Sequence, residues 1–178
     1  MIGYRVVEST NSRDLELVQE LAREIWGEHY TPIIGSEQVE YMLRNFQSTS
    51  AIAGQIRDGY VYYLLLSHDV PAGYLAYVKQ PDKEGLQLSK LYVRRHQRGQ
   101  GLGRAGLELV QEDCLQLGLD LIWLTVNKYN SASIAWYRHM GFEYAGSQVA
   151  DIGGGFVMDD YVLQKRLPAD RAVEFVSR

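Results

Sequence analysis

The stretch "YVRRHQRGQGLGRAG", residues 92–106, carries Gly99, Gly101, Gly103 and Gly106 beside Arg94, Arg95, Arg98 and Arg104. Glycine is about 1 kcal/mol less favourable than alanine in a helix interior, so this spacing needs a reason. A strand, a glycine-rich turn and a helix in succession aim several backbone N–H groups at one point, and the helix dipole adds partial positive charge there. Such a point suits an anion, phosphate above all. Gly101 and Gly103 would let a phosphate oxygen approach the main chain closely, and the arginines would add charge. The plain alternative is a surface turn with solvated arginines.

The elements that must position this turn follow from periodicity. "GYRVVES" (3–9) is β-leaning. Leu15, Val18, Leu21, Ala22 and Ile25 recur at helical spacing, with Asn11 and Asp14 as an N-cap signature, so a helix is predicted over 12–27, ended by Gly27 and Pro32. A second helix follows with Ser36 as its cap, and a third, short one lies within 48–59. Strands are predicted at 60–67 and 72–79, joined by a turn at His68 to Pro71, then at 86–93. The glycine turn leads to a helix over 101–118, a strand over 120–126, and a helix over 130–140 capped by Asn130. Strands over 142–150 and 155–166 complete a sheet of about seven strands, with helices on both faces. Residues 168–178 read as a polar tail.

The 178 residues, 46% of them hydrophobic, suit one domain with one core. A net charge of −4 disfavours nucleic acid as a partner. Cys114 is the single cysteine, so no intramolecular disulfide forms. The N-terminus lacks the pattern of a signal peptide, and the longest apolar run, "YVYYLLL", is far short of the roughly 20 residues of a membrane span. The expected setting is the cytoplasm, with no membrane partner.

Three phosphate-binding patterns compete for the turn. The P-loop signature is absent. Gly101, Gly103 and Gly106 match the dinucleotide pattern formally, but a fingerprint of that kind belongs in a first βαβ unit with an acidic residue after the next strand, and "LTVN" offers none. The third pattern, Arg/Gln-x-x-Gly-x-Gly/Ala, is met by Arg98, Gly101 and Gly103. On these residues the chain resembles the GNAT superfamily of acyl-CoA-dependent N-acetyltransferases. "LSKLYVRRHQRGQGLG" is similar to its motif A, and "LTVNKYNSASIAWYRHMGF" to its motif B, in the expected order. The resemblance covers residues 1–167 and implies one GNAT-like α/β domain with a mixed, mostly antiparallel sheet. Ser133 stands where motif B usually has alanine. "IWGEHYTPIIGSEQVEYML" and "DIGGGFVMDDY" resemble, more loosely, a bacterial subgroup near the polyamine acetyltransferases.

The resemblance implies acetyl transfer from acetyl-CoA to an amine. Main-chain groups from Arg98 through Gly99, Gln100, Gly101, Leu102 and Gly103, with Arg104 nearby, would hold the pyrophosphate. Main-chain groups of Leu91, Tyr92 and Val93 would orient the thioester. Tyr137 takes the family's general-acid position, with a packing role beside Trp136 as its alternative. Asn130 is expected to cap its helix, and Asn130 and Ser133 lie where the family contacts the pantetheine arm. A protonated alkylamine with a pKa near 10.4 needs a base. The strand before the turn offers Gln87, Ser89 and Lys90 and no carboxylate. Glu28 and His29 of "WGEHY", and Asp159 or Asp160 of "VMDDY", are the candidates, His29 having the best-suited ordinary pKa. Trp26, His29 and Tyr30 beside carboxylates would suit a cationic acceptor. Cys114 is read as structural, and direct attack by the amine is expected.

A small-molecule amine such as a polyamine is the expected acceptor. A protein lysine or N-terminal amine is the alternative, and a catalytically silent acyl-CoA-binding module is an alternative of another class. A nicotinamide-dependent enzyme stands further off. The family's sheets often pair, so a homodimer is a further expectation.

Overall fold

Asn11 and Asp14 begin the first helix as their spacing predicts. The Asn11 side chain accepts the Asp14 N–H at 3.2 Å and donates to the Asp14 carboxylate at 2.9 Å. In the computed structural model, which describes residues 1–168, this helix (α1) spans Ser12–Ile34. It does not stop at Gly27 as predicted, and Pro32 lies inside it. Gly27 weakens a helix only modestly, and Pro32 lacks only its own N–H bond. The stop falls at Gly35, at φ 84°, whose N–H bonds the Thr31 carbonyl at 3.0 Å.

Gly35 also precedes the second helix, α2 (Ser36–Phe46), so Ser36 is not its cap. The third, α3 (Thr49–Arg57), is capped by Ser48, whose hydroxyl accepts the Ala51 N–H at 3.3 Å.

The strands are β1 (Ile2–Val6), β2 (Val61–Ser67), β3 (Val70–Val78), β4 (Leu86–Val93), β5 (Leu121–Asn127), β6 (Glu143–Gly153) and β7 (Phe156–Arg166). A 3₁₀ turn at Arg95–Gln97 and helix α4 (Leu102–Gln116) follow β4, and helix α5 (Ser131–His139) follows β5. They form a single α/β domain with one seven-stranded, mostly antiparallel sheet in the order β1-β2-β3-β4-β5-β7-β6. The exception is β4 with β5, paired in parallel through Leu86↔Ile122 and Gln87↔Trp123. The β2–β3 connection is tighter than expected. His68 and Asp69 both take positive φ, 50° and 64°, as a two-residue hairpin turn of matching twist requires, and Pro71 already belongs to β3.

Contacts within the chain fall into two compact units, Met1–Val78 with Lys90–Gly106, and Lys79–Ser89 with Leu107 onward. In the first, Val18, Leu21, Ala22 and Ile25 of α1, Ile52 of α3, and Leu64, Leu65 and Leu75 of β2 and β3 are fully buried. In the second, Leu107, Val110 and Cys114 of α4, Ile122 and Leu124 of β5, and Leu163 of β7 are buried. The Cys114 thiol donates to the carbonyls of Leu119 and Leu121, and burial pushes its pKa up to about 11. No helix among the described residues is long and apolar enough to cross a membrane. The predicted tail lies, beyond Pro168, outside the described residues.

Candidate active site

The glycine turn occupies the first unit between Val93 and α4. Gly99 (φ 78°) and Gly101 (φ 86°) take left-handed backbone, which side-chain-bearing residues rarely adopt. Gly101 precedes α4 and its carbonyl accepts the Ala105 N–H at 2.9 Å. The N–H groups of the first helical turn, from Leu102, therefore have no carbonyl one turn back. The surface over the turn is open. A methyl added at Gly99 would meet nothing within 4 Å, and at Gly101 only Ile2 Cδ1 at 3.8 Å. Leu102, buried, anchors the helix start. Gly106 completes the spacing for a different reason: a Cβ there would press on Leu75 and Leu91 at 3.2 Å, so its absence seats the helix start close against the sheet.

Two of the four arginines have partners of their own. Arg94 bonds Glu24 at 3.0 Å and the Pro71 carbonyl at 3.0 Å, tying α1 to the strand ends. Arg98 closes the turn by donating from Nε to the Val93 carbonyl at 3.0 Å. Arg95 and Arg104 are exposed, as is Gln100, whose side chain donates to the His96 carbonyl.

Leu91, Tyr92 and Val93 end β4. The main chain here is met at very short range by Gly73 of β3, where a Cβ would fall 2.2 Å from the Tyr92 carbonyl oxygen. Only glycine permits that approach. Tyr92 is held by aromatic rings, with Trp26 at 5.5 Å, Tyr74 at 5.4 Å, and a hydroxyl–hydroxyl contact to Tyr30 at 3.2 Å. His29 stands edge-on to Tyr30 at 4.9 Å, and Glu28 is exposed on the same helix.

A polar network lies in the same unit. The Tyr74 hydroxyl donates to buried Gln47 at 3.0 Å, and both Gln47 and Gln55 donate to the Phe46 carbonyl. Gln55 Oε1 accepts from the Tyr62 hydroxyl at 2.6 Å and from Lys90 Nζ at 3.1 Å. The Lys90 ammonium also lies over the Tyr60 and Tyr62 rings, at 5.2 and 5.4 Å. Desolvation brings the Lys90 pKa down to about 7 and raises that of Tyr62.

In the second unit, the end of β5 shapes the start of α5. The Asn127 side chain accepts the Tyr129 N–H at 2.9 Å, its carbonyl accepts the Asn130 N–H, and Asn130 caps α5 by accepting the Ser133 N–H at 3.3 Å. Asn130 is therefore the expected cap. Tyr137 follows on α5, half-buried between Trp136 at 5.0 Å and Phe142 at 5.4 Å. Opposite Asn127, on β7, Asp160 is only 5% exposed. Burial pushes its pKa up to about 6, against a smaller lowering by the Thr125 hydrogen bond. Its neighbour Asp159 pairs with Lys128.

The structure thus groups the residues expected to meet acetyl-CoA in two sets. Leu91 to Arg104 lie in the first unit with Glu28 and His29, while Asn130, Ser133 and Tyr137 lie in the second with Asp159 and Asp160. Sequence reasoning missed Gly73 and the Gln55–Lys90 contact. A glycine inside the apolar strand "VPAGYLAYV" was the available signal for the first. The second joins residues 35 apart and has no local signature.

The sequence model of the acetyltransferase (GNAT) family matches residues 17–142 of this chain. An uncharacterized N-acetyltransferase of the pepI 3' region of Lactobacillus delbrueckii subsp. lactis is 24% identical over 174 residues, covering 94% of this chain and 99% of that protein. The L-methionine sulfoximine/L-methionine sulfone acetyltransferase of Pseudomonas aeruginosa is 32% identical over 101 residues, 53% of this chain and 58% of its own. Among solved structures, the PaiA N-acetyltransferase of Thermoplasma acidophilum in complex with coenzyme A shares the fold. Its TM-score is 0.74 at 21% identity, over 93% of this chain and 99% of that one. The family match spans most of the chain and includes both the glycine turn and α5: the chain belongs to the GNAT family of acetyltransferases.

Proposed function

We propose that this acetyl-CoA-dependent N-acetyltransferase moves the acetyl group to the primary amine of a small molecule such as a polyamine, by direct attack in a ternary complex. The observation that carries the donor half is the open glycine turn at the start of α4, with left-handed Gly99 and Gly101 and only Ile2 Cδ1 within 4 Å of a Cβ built at either. Its N–H groups, with Arg98 and Arg104 nearby, would hold the pyrophosphate. The main chain of Leu91, Tyr92 and Val93 would orient the thioester and polarise its carbonyl, a contact of a kind that contributes about 3 kcal/mol. The Tyr137 hydroxyl would give the departing sulfur its proton. Asn130, as the cap, fixes the start of the helix that carries Tyr137, and Ser133 adds a small side chain on its first turn. The raised pKa of buried Cys114 supports direct attack over a cysteinyl intermediate.

An amino-acid-like acceptor attacked through its α-amine is a second reading, favoured by the similarity to the L-methionine sulfoximine/L-methionine sulfone acetyltransferase. One assay separates the two. Thiol release from acetyl-CoA is followed with spermidine, spermine, aminoglycosides, free amino acids and short lysine peptides, each paired with a thermal shift on acetyl-CoA and on NAD. Turnover on polyamines supports the first reading and turnover on amino acids the second. A thermal shift with acetyl-CoA and no turnover on any amine would point to the silent acyl-CoA-binding module.

A further inference from the structure

Among the described residues at the end of β5, Lys128 and Asp159 form an ion pair and Asp160 forms none. Thr125 and Asn127 alternate onto one face of β5, and the antiparallel register places Asp160 of β7 directly opposite Asn127, with Gln148 of β6 on its other side. Asp160 is thus flanked by two amides. Thr125 lowers the carboxyl's pKa less than burial raises it, while Asp160 Oδ1 is shielded from solvent and has no hydrogen-bond partner among the described residues. Buried polar atoms are rarely left so, because an unmet acceptor in a low-dielectric site is destabilising. The nearest cation, Lys128, is paired with Asp159 and lies over the Tyr161 ring at 5.7 Å. The charged groups facing Asp160 are therefore these two, and they largely offset each other.

We propose that Asp160 is the catalytic base: its carboxylate receives the acceptor's ammonium at the unpartnered oxygen and takes its proton. This rests on the N-acetyltransfer reading above. The ammonium gives one proton to Asp160. The neutral amine attacks the thioester carbonyl carbon, the C–N bond forms, and as the C–S bond breaks the sulfur takes the Tyr137 proton. The second proton leaves the new amide nitrogen and restores the Tyr137 phenol through solvent. Asp160 then releases its own proton, one in net for each acetyl moved. A carboxylate near pH 6 is weak against a free alkylammonium, but the desolvation that raises the acid also lowers the ammonium, so the site brings the two pKa values together. His29 and Glu28 remain the rival bases.

The test uses the full chain. Wild-type turnover is measured first on the amine panel. With turnover established, Asp160→Asn is expected to lower kcat/KM about 100-fold while leaving acetyl-CoA affinity unchanged, and to remove the wild-type fall in activity below about pH 6. A companion measurement needs no variant. The Asp160 carboxyl of the wild type is titrated by carbon NMR with and without spermidine, and the amine is expected to move its midpoint downward. Full activity in Asp160→Asn with the acid limb retained, or an Asp160 midpoint unmoved by an amine that is turned over, would overturn the assignment. No turnover on any amine would instead remove the reading on which it rests.

Discussion

Lys90 in the first unit and Asp160 in the second make an instructive pair. Desolvation is the leading cause of both shifts, and it moves each group toward neutrality, Lys90 down to about 7 and Asp160 up to about 6. The surroundings differ in one respect. Lys90 Nζ ends a hydrogen-bonded chain that runs through Gln55 and the Phe46 carbonyl to Gln47 and Tyr74, and two phenol rings lie beneath it. Asp160 has a buried oxygen, Oδ1, with no hydrogen-bond partner among the described residues. A perturbed pKa marks burial in both places, and the unpartnered oxygen is what separates Asp160 from Lys90.

The largest effects should separate binding from chemistry along the same division. Gly101→Glu is expected to abolish measurable acetyl-CoA binding by calorimetry, since it forces a side chain onto φ 86° and sets a carboxylate at the anion site. Retained affinity in a folded variant would mean the turn holds no pyrophosphate. Tyr137→Phe should lower kcat about 100-fold with acetyl-CoA affinity kept. Unchanged turnover would remove Tyr137 as the acid.

Gly73→Ala is expected to lower Tm by about 8 °C, because its new methyl lands on the Tyr92 carbonyl and β3 must move from β4. A melt equal to wild type would show that β4 shifts without penalty. The smallest effects test the pair itself. Lys90→Met should keep kcat within about 3-fold at pH 8, whereas a loss as large as that of Asp160→Asn would break the contrast between them.

The stability signs are opposite in pH and agree at neutrality. The folded pKa of Lys90 lies below its ordinary 10.5, so its contribution to stability is present above that pH and lost as pH falls through about 7. The folded pKa of Asp160 lies above its ordinary 3.8, so its contribution is present below that pH and lost as pH rises through about 6. Between these limits both groups weigh against the fold. Lys90→Met and Asp160→Asn are therefore each expected to raise Tm at pH 7 by about 3 °C, and the gain should vanish near pH 10.5 for the first and below pH 4 for the second. Calorimetric melts across pH check both.

Local chemistry made much of this readable. The glycine turn, the caps at Asn11 and Asn130, and the sequence of strands and helices each rest on a few adjacent residues. The length of α1 did not, since a proline within a long amphipathic helix can be tolerated when packing holds both sides. Nor did the His68–Asp69 turn, which lacks the glycine that usually announces it. Asp160 was visible as one of several carboxylates. What singles it out is its register with Asn127, set by pairing between strands 33 residues apart, and burial that no local pattern encodes.

The single cysteine has a practical side. Cys114 is fully buried, with its thiol bonded to two carbonyls and its pKa raised to about 11. In the folded protein it is a silent sulfhydryl, so a thiol-specific dye reads coenzyme A released in turnover with little background from the enzyme. The same sulfur becomes a clock once catalysis is set aside. Its slow modification by an alkylating reagent counts the openings of the α4–β5 core, and comparing that rate with and without acetyl-CoA would measure how far ligand binding restrains those openings.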